Sequence, residues 1–353
     1  MSTKPVPEGT LLWTPPPERV DDSRLRAFER FLERDKGHRF ASYEELWRFS
    51  VRDVGAFWSS LAEYFAVRFH SPPRTVLEGT MPNARWFPEA TLNYAEHALG
   101  RIDRPSLGSM APTGASEAPA IVFVAEDGTR AELSKAELES LVARARAGLE
   151  RFGVGRGDRV AALLPNRPET VALFLATASL GAVFSSAAPE FGTKSILDRF
   201  QQIEPKVLVT VDGYRYGGKW FDRSADVRDI RAGLSSLAGC VVLPSASSVM
   251  PAGAVSFAEF TREERAFGFE SVPFEHPLWI LYSSGTTGLP KPIVHGHGGI
   301  LLEHLKALAL HSDLGPGDRF FWFSTTGWMM WNYLVGGLLV GATIVLYTPR
   351  GLL

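Results

Sequence analysis

Residues 278–292 read Leu-Trp-Ile-Leu-Tyr-Ser-Ser-Gly-Thr-Thr-Gly-Leu-Pro-Lys-Pro. Ser283, Ser284, Thr286 and Thr287 are interleaved with Gly285 and Gly288, and Lys291 follows. Glycines let the backbone turn inward and aim successive N–H groups at one point, which makes a cradle for an anion. The hydroxyls add donors and Lys291 a mobile positive charge. A polyphosphate uses all of these. The element that presents the loop is the apolar run Leu278–Tyr282, short and bounded by turn residues, which predicts a buried strand.

The Walker phosphate loop is excluded. Lys291 follows Pro290 rather than glycine, and Pro292 stands where the Mg²⁺-binding Ser or Thr would be. The string instead resembles the Ser/Thr/Gly-rich phosphate loop of the adenylate-forming enzymes, the superfamily of acyl-CoA synthetases, luciferases and peptide-synthetase adenylation domains.

At 353 residues the chain predicts two units or one large one. Hydrophobic residues make up 45% and charged residues 22%, so a sizeable core is easily built. A net charge of −2 argues against a nucleic-acid partner, which a basic stripe would serve. One cysteine, Cys240, allows no internal disulfide, and no zinc-ligand spacing appears. Its apolar setting, Cys240-Val-Val-Leu, predicts core packing rather than nucleophilic chemistry. The N-terminus lacks the apolar core of a secretion signal, so a cytoplasmic enzyme is expected. Residues 320–348 carry no charge and would satisfy a membrane-span window. Thr325-Thr-Gly, Gly336-Gly and Gly341-Ala-Thr cut the stretch into pieces that fit strand, buried helix and strand better, so no membrane is expected.

The elements that must position the loop come in two textures. Asp21-Asp-Ser before Leu25, Phe28, Phe31 and Leu32 is a helix start. Residues 42–69 predict further helices whose aromatic stripes, Tyr43 and Trp47 among them, are read as core contacts. Residues 86–99 hold another helix entry, with Thr91 or Asn93 as cap. Residues 1–102 thus read as a helical N-terminal extension, and the Pro/Gly/Ser-rich stretch 103–119 as a loop or linker. From residue 120 strands and helices alternate. Strands are expected at 121–125, 159–164, 207–211, 241–243, 279–282, 320–324 and 343–347. Helices are expected at 135–152, 169–184 and 297–311, with a polar loop between 211 and 241. The fold class is α/β, with parallel sheets flanked by helices and ligands bound beyond the strand carboxyl ends.

Several strings narrow the resemblance to the acetoacetate–CoA ligase group of acyl-CoA synthetases. These are Leu12-Trp-Thr-Pro-Pro-Pro-Glu-Arg, Gly79-Thr-Met-Pro-Asn-Ala-Arg-Trp-Phe-Pro, Leu92-Asn-Tyr-Ala-Glu, Pro292-Ile-Val-His-Gly-His-Gly-Gly and Thr325-Thr-Gly-Trp-Met-Met-Trp-Asn. The likeness runs from about residue 12 to 347 and makes residues 120–353 part of an adenylate-forming domain. It implies that acetoacetate, or another short-chain acid, attacks Mg·ATP to give acyl-AMP and pyrophosphate, and that CoA then displaces AMP. Ser283, Ser284, Gly285, Thr286, Thr287, Gly288 and Lys291 take the ATP phosphates by motif match, with Lys291 in the catalytic role. Trp328, Met329 and Met330 match acyl-pocket positions, and equally fit a helix face in the core. Arg215 and Lys219, in Tyr214-Arg-Tyr-Gly-Gly-Lys, match a loop that meets CoA phosphates, although loop cations are also commonly just solvated. His295 and His297 face a ligand or serve the structure. The implied small molecules are therefore ATP, Mg²⁺ and CoA, beside the short-chain 3-oxo acid.

The sequence lacks the family's Tyr-Gly-x-Thr-Glu and Thr-Gly-Asp segments, its hinge and its C-terminal lysine. The expectation is that this polypeptide by itself forms no acyl-AMP, and that Val335, Leu338 and Leu339 lie uncovered. A catalytically silent nucleotide-binding remnant is the competing reading.

Overall fold

Strand and helix alternate from residue 120 because apolar runs of four or five residues are separated by amphipathic or buried helices, and this pattern folds into two sheets. The computed structural model describes residues 6–100, 118–244, 250–283 and 288–348. Ahead of the alternation lie helices α1 (Pro17–Asp21), α2 (Arg24–Lys36), α3 (Tyr43–Arg52) and α4 (Val54–Tyr64). Three two-residue strands follow, β1 (Leu77–Glu78), β2 (Arg85–Trp86) and β3 (Thr91–Leu92), then α5 (Tyr94–Ala98). Ser23, Ser42 and Asp53 accept backbone N–H groups at the starts of α2, α3 and α4. α2 buries Phe28 and Leu32.

On α3 the outcome differs from expectation. Tyr43 and Trp47 are 61% and 52% exposed, and only Leu46 is buried. The 43–47–51 spacing follows one helical face, and that face points to solvent.

The larger sheet is built from β6 (Arg159–Leu163), β7 (Val183–Ala187), β8 (Val207–Val211), β11 (Gly239–Leu243), β12 (Val255–Ser256), β14 (Pro277–Ser283) and β15 (Lys291–Gly296). Their order is β12-β11-β8-β6-β7-β14-β15, and all pairs are parallel except the last. A second sheet has the order β16-β17-β4-β5, from β4 (Ile121–Val124), β5 (Arg130–Leu133), β16 (Arg319–Phe321) and β17 (Thr343–Tyr347). Between β8 and β11 stands a separate hairpin, β9 (Gly213–Tyr216) with β10 (Lys219–Asp222). β13 (Val272–Pro273) pairs with β3 and ties the N-terminal segment to the body.

Helix α6 (Lys135–Arg151) opens with a capping box, Ser134 Oγ accepting from Glu137 N while Ser134 N donates to Glu137 Oε2. It buries Leu138, Val142, Ala145 and Leu149. Helix α7 (Pro168–Ser179) is buried along nearly its whole length, between α6 and α5. α8 (Thr193–Phe200), α9 (Ser224–Gly233), α10 (Phe257–Phe260), α11 (His297–Leu305) and α12 (Met329–Val335) complete the helices. α11 runs on as a π-helical turn over Lys306–His311.

Three expectations are corrected. The helix predicted over 169–184 stops at Ser179, because Gly181 takes a left-handed φ of 65° and Val183 starts β7. The presumed polar loop between 211 and 241 contains β9, β10 and α9. Val335, Leu338 and Leu339 are not uncovered; each is under 10% exposed. The 3₁₀ turn Gly336–Val340 wedges among α5, α11 and β17, so its side chains have partners within the described residues. No helix among the described residues is long and apolar enough to cross a membrane.

Candidate functional site

Parallel strands carry their carboxyl ends to one side, and there the structure has a cavity of about 680 Å³. Its walls are loop starts: Glu126 and Asp127 after β4, Pro165 to Arg167 after β6, Ala188 to Glu190 after β7, Gly213 to Tyr216 after β8, Phe323 to Thr326 after β16, and Thr348 after β17. β6 connects to β7 on one side, whereas its other neighbour, β8, connects onward to β11 on the opposite side. Diverging connections leave a crevice between adjacent strand ends, the usual ligand position in such sheets.

The walls are bolted by buried polar contacts. Thr326 Oγ1 donates to Leu164 O at 2.7 Å, and its carbonyl accepts from Ser186 Oγ at 2.6 Å. Asn166 Oδ1 accepts the indole N–H of Trp331 at 2.9 Å, and that indole is fully buried against Phe184. These bonds tie strand β7 and the segments after β6 and β16 into one wall.

The opposite wall is the β9–β10 hairpin. Gly217 and Gly218 both have positive φ, 60° and 76°, as a two-residue hairpin turn requires. Glu126 reaches across and accepts Gly218 N–H at 2.6 Å, and its own N–H donates to Thr348 Oγ1 at 3.2 Å. Gly213 can only be glycine, because a Cβ there would meet the Trp220 ring at 2.3 Å. Arg215 is exposed on the cavity wall, and Lys219, equally exposed, is not among the lining residues.

Three carboxylates line the cavity, in different states. Glu126 is committed to the hairpin tip. Asp127 accepts from Thr129 N at 2.8 Å; hydrogen bonds from Thr129, with the Arg215 charge, hold it below the ordinary carboxylate range. Glu190 goes the other way. Glu190 is exposed as a residue, yet the protein atoms packed around its carboxyl push it up, against a hydrogen bond from its own N–H and the Arg223 charge.

The phosphate-loop candidates are only partly described. Ser284, Gly285, Thr286 and Thr287 lie outside the described residues. Ser283 ends β14, directly across from Lys291, the first residue of β15. Because β14 runs parallel to β7, Ser283 and Lys291 are at the cavity's end of the sheet, although neither lines the cavity. Gly288 has φ 121°. Lys291 is exposed and makes no ion pair among the described residues. Gln202 Nε2 donates to Pro290 O at 3.0 Å, which moors the loop to the segment after α8.

The acyl-pocket candidates stand apart from the cavity. Trp328 and Met329 are 66% and 52% exposed, and Met330 is half-buried. None of the three lines the cavity, and the first two are not core either. His295 and His297 are structural: His295 Nδ1 accepts from Trp279 Nε1 at 2.9 Å, and His297 Nδ1 accepts from Tyr94 N at 3.1 Å. Burial pushes both pKa values down, His297 to about 3. Cys240 is in the core with its thiol pushed up to about 11 by burial, which suits no nucleophile. No group of three or more His, Cys, Asp or Glu side chains among the described residues is arranged to hold a metal ion.

Sequence reading missed Glu126, Asn166 and Glu190. The available signal was position alone: each follows within three residues of a parallel strand's end. Glu190 was hidden because the expected helix ran on to residue 184 and no strand was expected at β7.

Residues 110–352 match the family described as AMP-binding enzyme, and residues 43–98 match the acetyl-coenzyme A synthetase N-terminus. An acetoacetyl-coenzyme A synthetase of Rhizobium meliloti (strain 1021) is 44% identical over 95% of this chain and 51% of its own length. A malonamoyl-CoA synthetase of Penicillium aethiopicum is 33% identical, over 97% of this chain and 47% of its own. The solved structure of acetoacetyl-CoA synthetase from Streptomyces lividans superposes with a TM-score of 0.88 at 49% identity, covering 95% of this chain and 51% of that one. The chain spans about half the length of the curated relatives it matches. Its sheet topology, its loop sequence and the match across residues 110–352 make the chain a member of the AMP-binding enzyme family.

Proposed function

We propose that the chain carries the phosphate-binding and thiol-binding parts of an AMP-forming acid–thiol ligase acting in the cytoplasm. The reaction is ATP + acetoacetate + CoA to acetoacetyl-CoA, AMP and pyrophosphate, through an acyl-adenylate. The observation that carries it is an exposed Lys291, without an ion pair among the described residues and directly across from Ser283, at the same end of the sheet as a separate cavity. One reaction that needs two such places joins a nucleotide to an acid and then exchanges it for a thiol.

The residues fit these ligands. An anion suits Gly288, at φ 121°, and the exposed Lys291 ammonium, which has no ion pair among the described residues. Fixed donors there stabilise the charge that grows on departing pyrophosphate. Mg²⁺ would supply charge neutralisation on the phosphates. The cavity suits a slender arm with few polar groups, walled by Phe123, Pro165, Pro189 and Trp220, and Arg215 at its rim suits a phosphate.

The relatives' names define an acid class. Acetoacetate and malonamate share a carboxylate with a second carbonyl at the 3-position, so a short acid with a 3-carbonyl is the proposed substrate. Calorimetry of the purified chain with ATP and with CoA tests the reading. Saturable heats for both are expected, each independent of the other. Absence of saturable binding by either ligand overturns it.

A further inference from the structure

We infer that the β16 edge of the second sheet is a docking surface for a polypeptide strand, supplied by chain of the kind that makes up the other half of the relatives' length. This docking does not depend on which ligand the cavity takes. An outer strand shows a row of unpaired N–H and C=O groups, which proteins guard with shortness, charge or proline. The two large sheets have four such edges. β12 is only two residues long, and β15 opens on Lys291 and Pro292. β5 exposes Arg130 and Glu132, which pair with each other. β16 has no such guard past Arg319. Phe320-Phe-Trp-Phe carries neither charge nor proline, and the strand pairs with β17 without a bulge.

Its side chains are equally unprotected. Phe320 points inward and is buried, whereas Phe321, on the opposite face, is 49% exposed. Strands of parallel sheets are ordinarily covered on both faces, and β16, β17 and β4 all run parallel. Trp322 and Phe323 follow at 43% and 52% exposure, and Trp328 and Met329 are exposed as well. Five large apolar side chains within residues 321–329 thus face solvent beside an open ladder edge, the mark of an interaction site. The surface is preformed. Trp322 meets Tyr333 edge-on at 6.2 Å between ring centroids, and Tyr333 meets Phe320 at 5.7 Å.

A second copy related by a two-fold axis would lay β16 antiparallel against itself, a pairing of three residues with three. A further strand set parallel to β16 instead extends the existing β16-β17-β4 order. The relatives have the length for it. The Streptomyces lividans structure superposes on this chain, and a stretch about as long as this chain lies outside the match. Phe323 also lines the cavity, so chain docked on this edge reaches the cavity's rim.

The test co-expresses the full 353-residue chain, carrying an affinity tag, with the untagged half of the Streptomyces lividans protein outside the match, and weighs the purified product by light scattering. A 1:1 complex is expected, in which amide exchange at Arg319–Phe321 slows about 10-fold or more, because an open edge has become a paired one. Phe321→Lys combined with Phe323→Lys puts charge on the edge and should abolish the complex, while circular dichroism shows the lone chain still folded. Tyr43→Lys combined with Trp47→Lys, on the equally exposed face of α3, should leave the complex intact. Absence of a complex, a complex that survives the Phe321 and Phe323 changes, or one lost equally with the α3 changes overturns the inference. So does a dimer of this chain that Phe321→Lys dissociates, which gives the edge to a second copy.

Discussion

Two hairpins serve the same end of the larger sheet and are held in opposite ways. β14 of the β14–β15 hairpin is hydrogen-bonded on both sides, to β7 and to β15, and its residues Leu278 to Leu281 are buried. The β9–β10 hairpin pairs only with itself, is largely exposed, and is pinned at its tip by one carboxylate, Glu126. Isolated two-stranded hairpins are marginal in water, so the second depends on that pin and on the Tyr214–Phe221 stack, with centroids 5.2 Å apart. On the proposed reading, a loop that holds a departing polyphosphate gains from a rigid base. On the same reading, a wall that admits a long, flexible thiol arm tolerates, and can use, a softer mount.

The largest way to break this contrast is acid. The β14–β15 hairpin rests on α11, whose His297 and His304 are buried and neutral, with pKa values pushed down to about 3 by burial. In the unfolded chain both titrate near 6.5. Stability from these groups is therefore intact above about pH 6.5 and is lost as pH falls towards 3. At pH 5 each costs about 2 kcal/mol. The melting temperature should drop steeply between pH 6.5 and 4, and His304→Gln should make the slope shallower. A melting temperature that stays level down to pH 4.5 refutes the neutral-buried assignment.

A smaller, more local effect is expected at the rigid hairpin's turn. Lys291→Ala removes a charge-assisted contact worth ~1.5–3 kcal/mol, so ATP should bind about 10- to 100-fold more weakly. CoA affinity should move less than about twofold, because Lys291 does not line the cavity. Equal losses for both ligands would merge the two places into one.

The smallest pair sharpens the reading of the soft hairpin. Arg215→Ala should weaken CoA about 10-fold, with the effect shrinking at high salt, while Lys219→Ala should change it less than about twofold. The two cations have the same charge and similar exposure, and only Arg215 is on the cavity wall. Should Lys219→Ala prove the more damaging, the ligand approaches from the other face of the hairpin.

How much of this was legible follows from the kind of signal each part leaves. Strand β14 was readable because an apolar run between turn residues has one sensible environment. Cap residues were readable too: Asn93 closes α5 with Oδ1 on Ala95 N, and its amide reaches Ala178 O and Glu270 O. β7 was not, because Val-Phe-Ser-Ser-Ala continues the apolar texture of α7, and only the left-handed Gly181 marks the break. Hairpin β9–β10 is short, polar and aromatic, and its period-2 pattern is too brief to separate from a loop.

The aromatic stripes teach the same point at residue scale. Trp331 and Trp328 are three positions apart; one is fully buried on Asn166, the other 66% exposed. Nothing in their types distinguishes them.

By itself, the sequence determined the α/β class, the phosphate-loop candidates and the burial of Cys240, because composition, turn chemistry and apolar runs act over a few residues. Only the tertiary structure decided which carboxylates are free, that Arg215 and not Lys219 meets the cavity, and that His295 and His297 brace the core. Those outcomes depend on partners far away in sequence, Glu126 with Gly218 and Tyr94 with His297, and such pairings exist only once the sheets have brought the strand ends together.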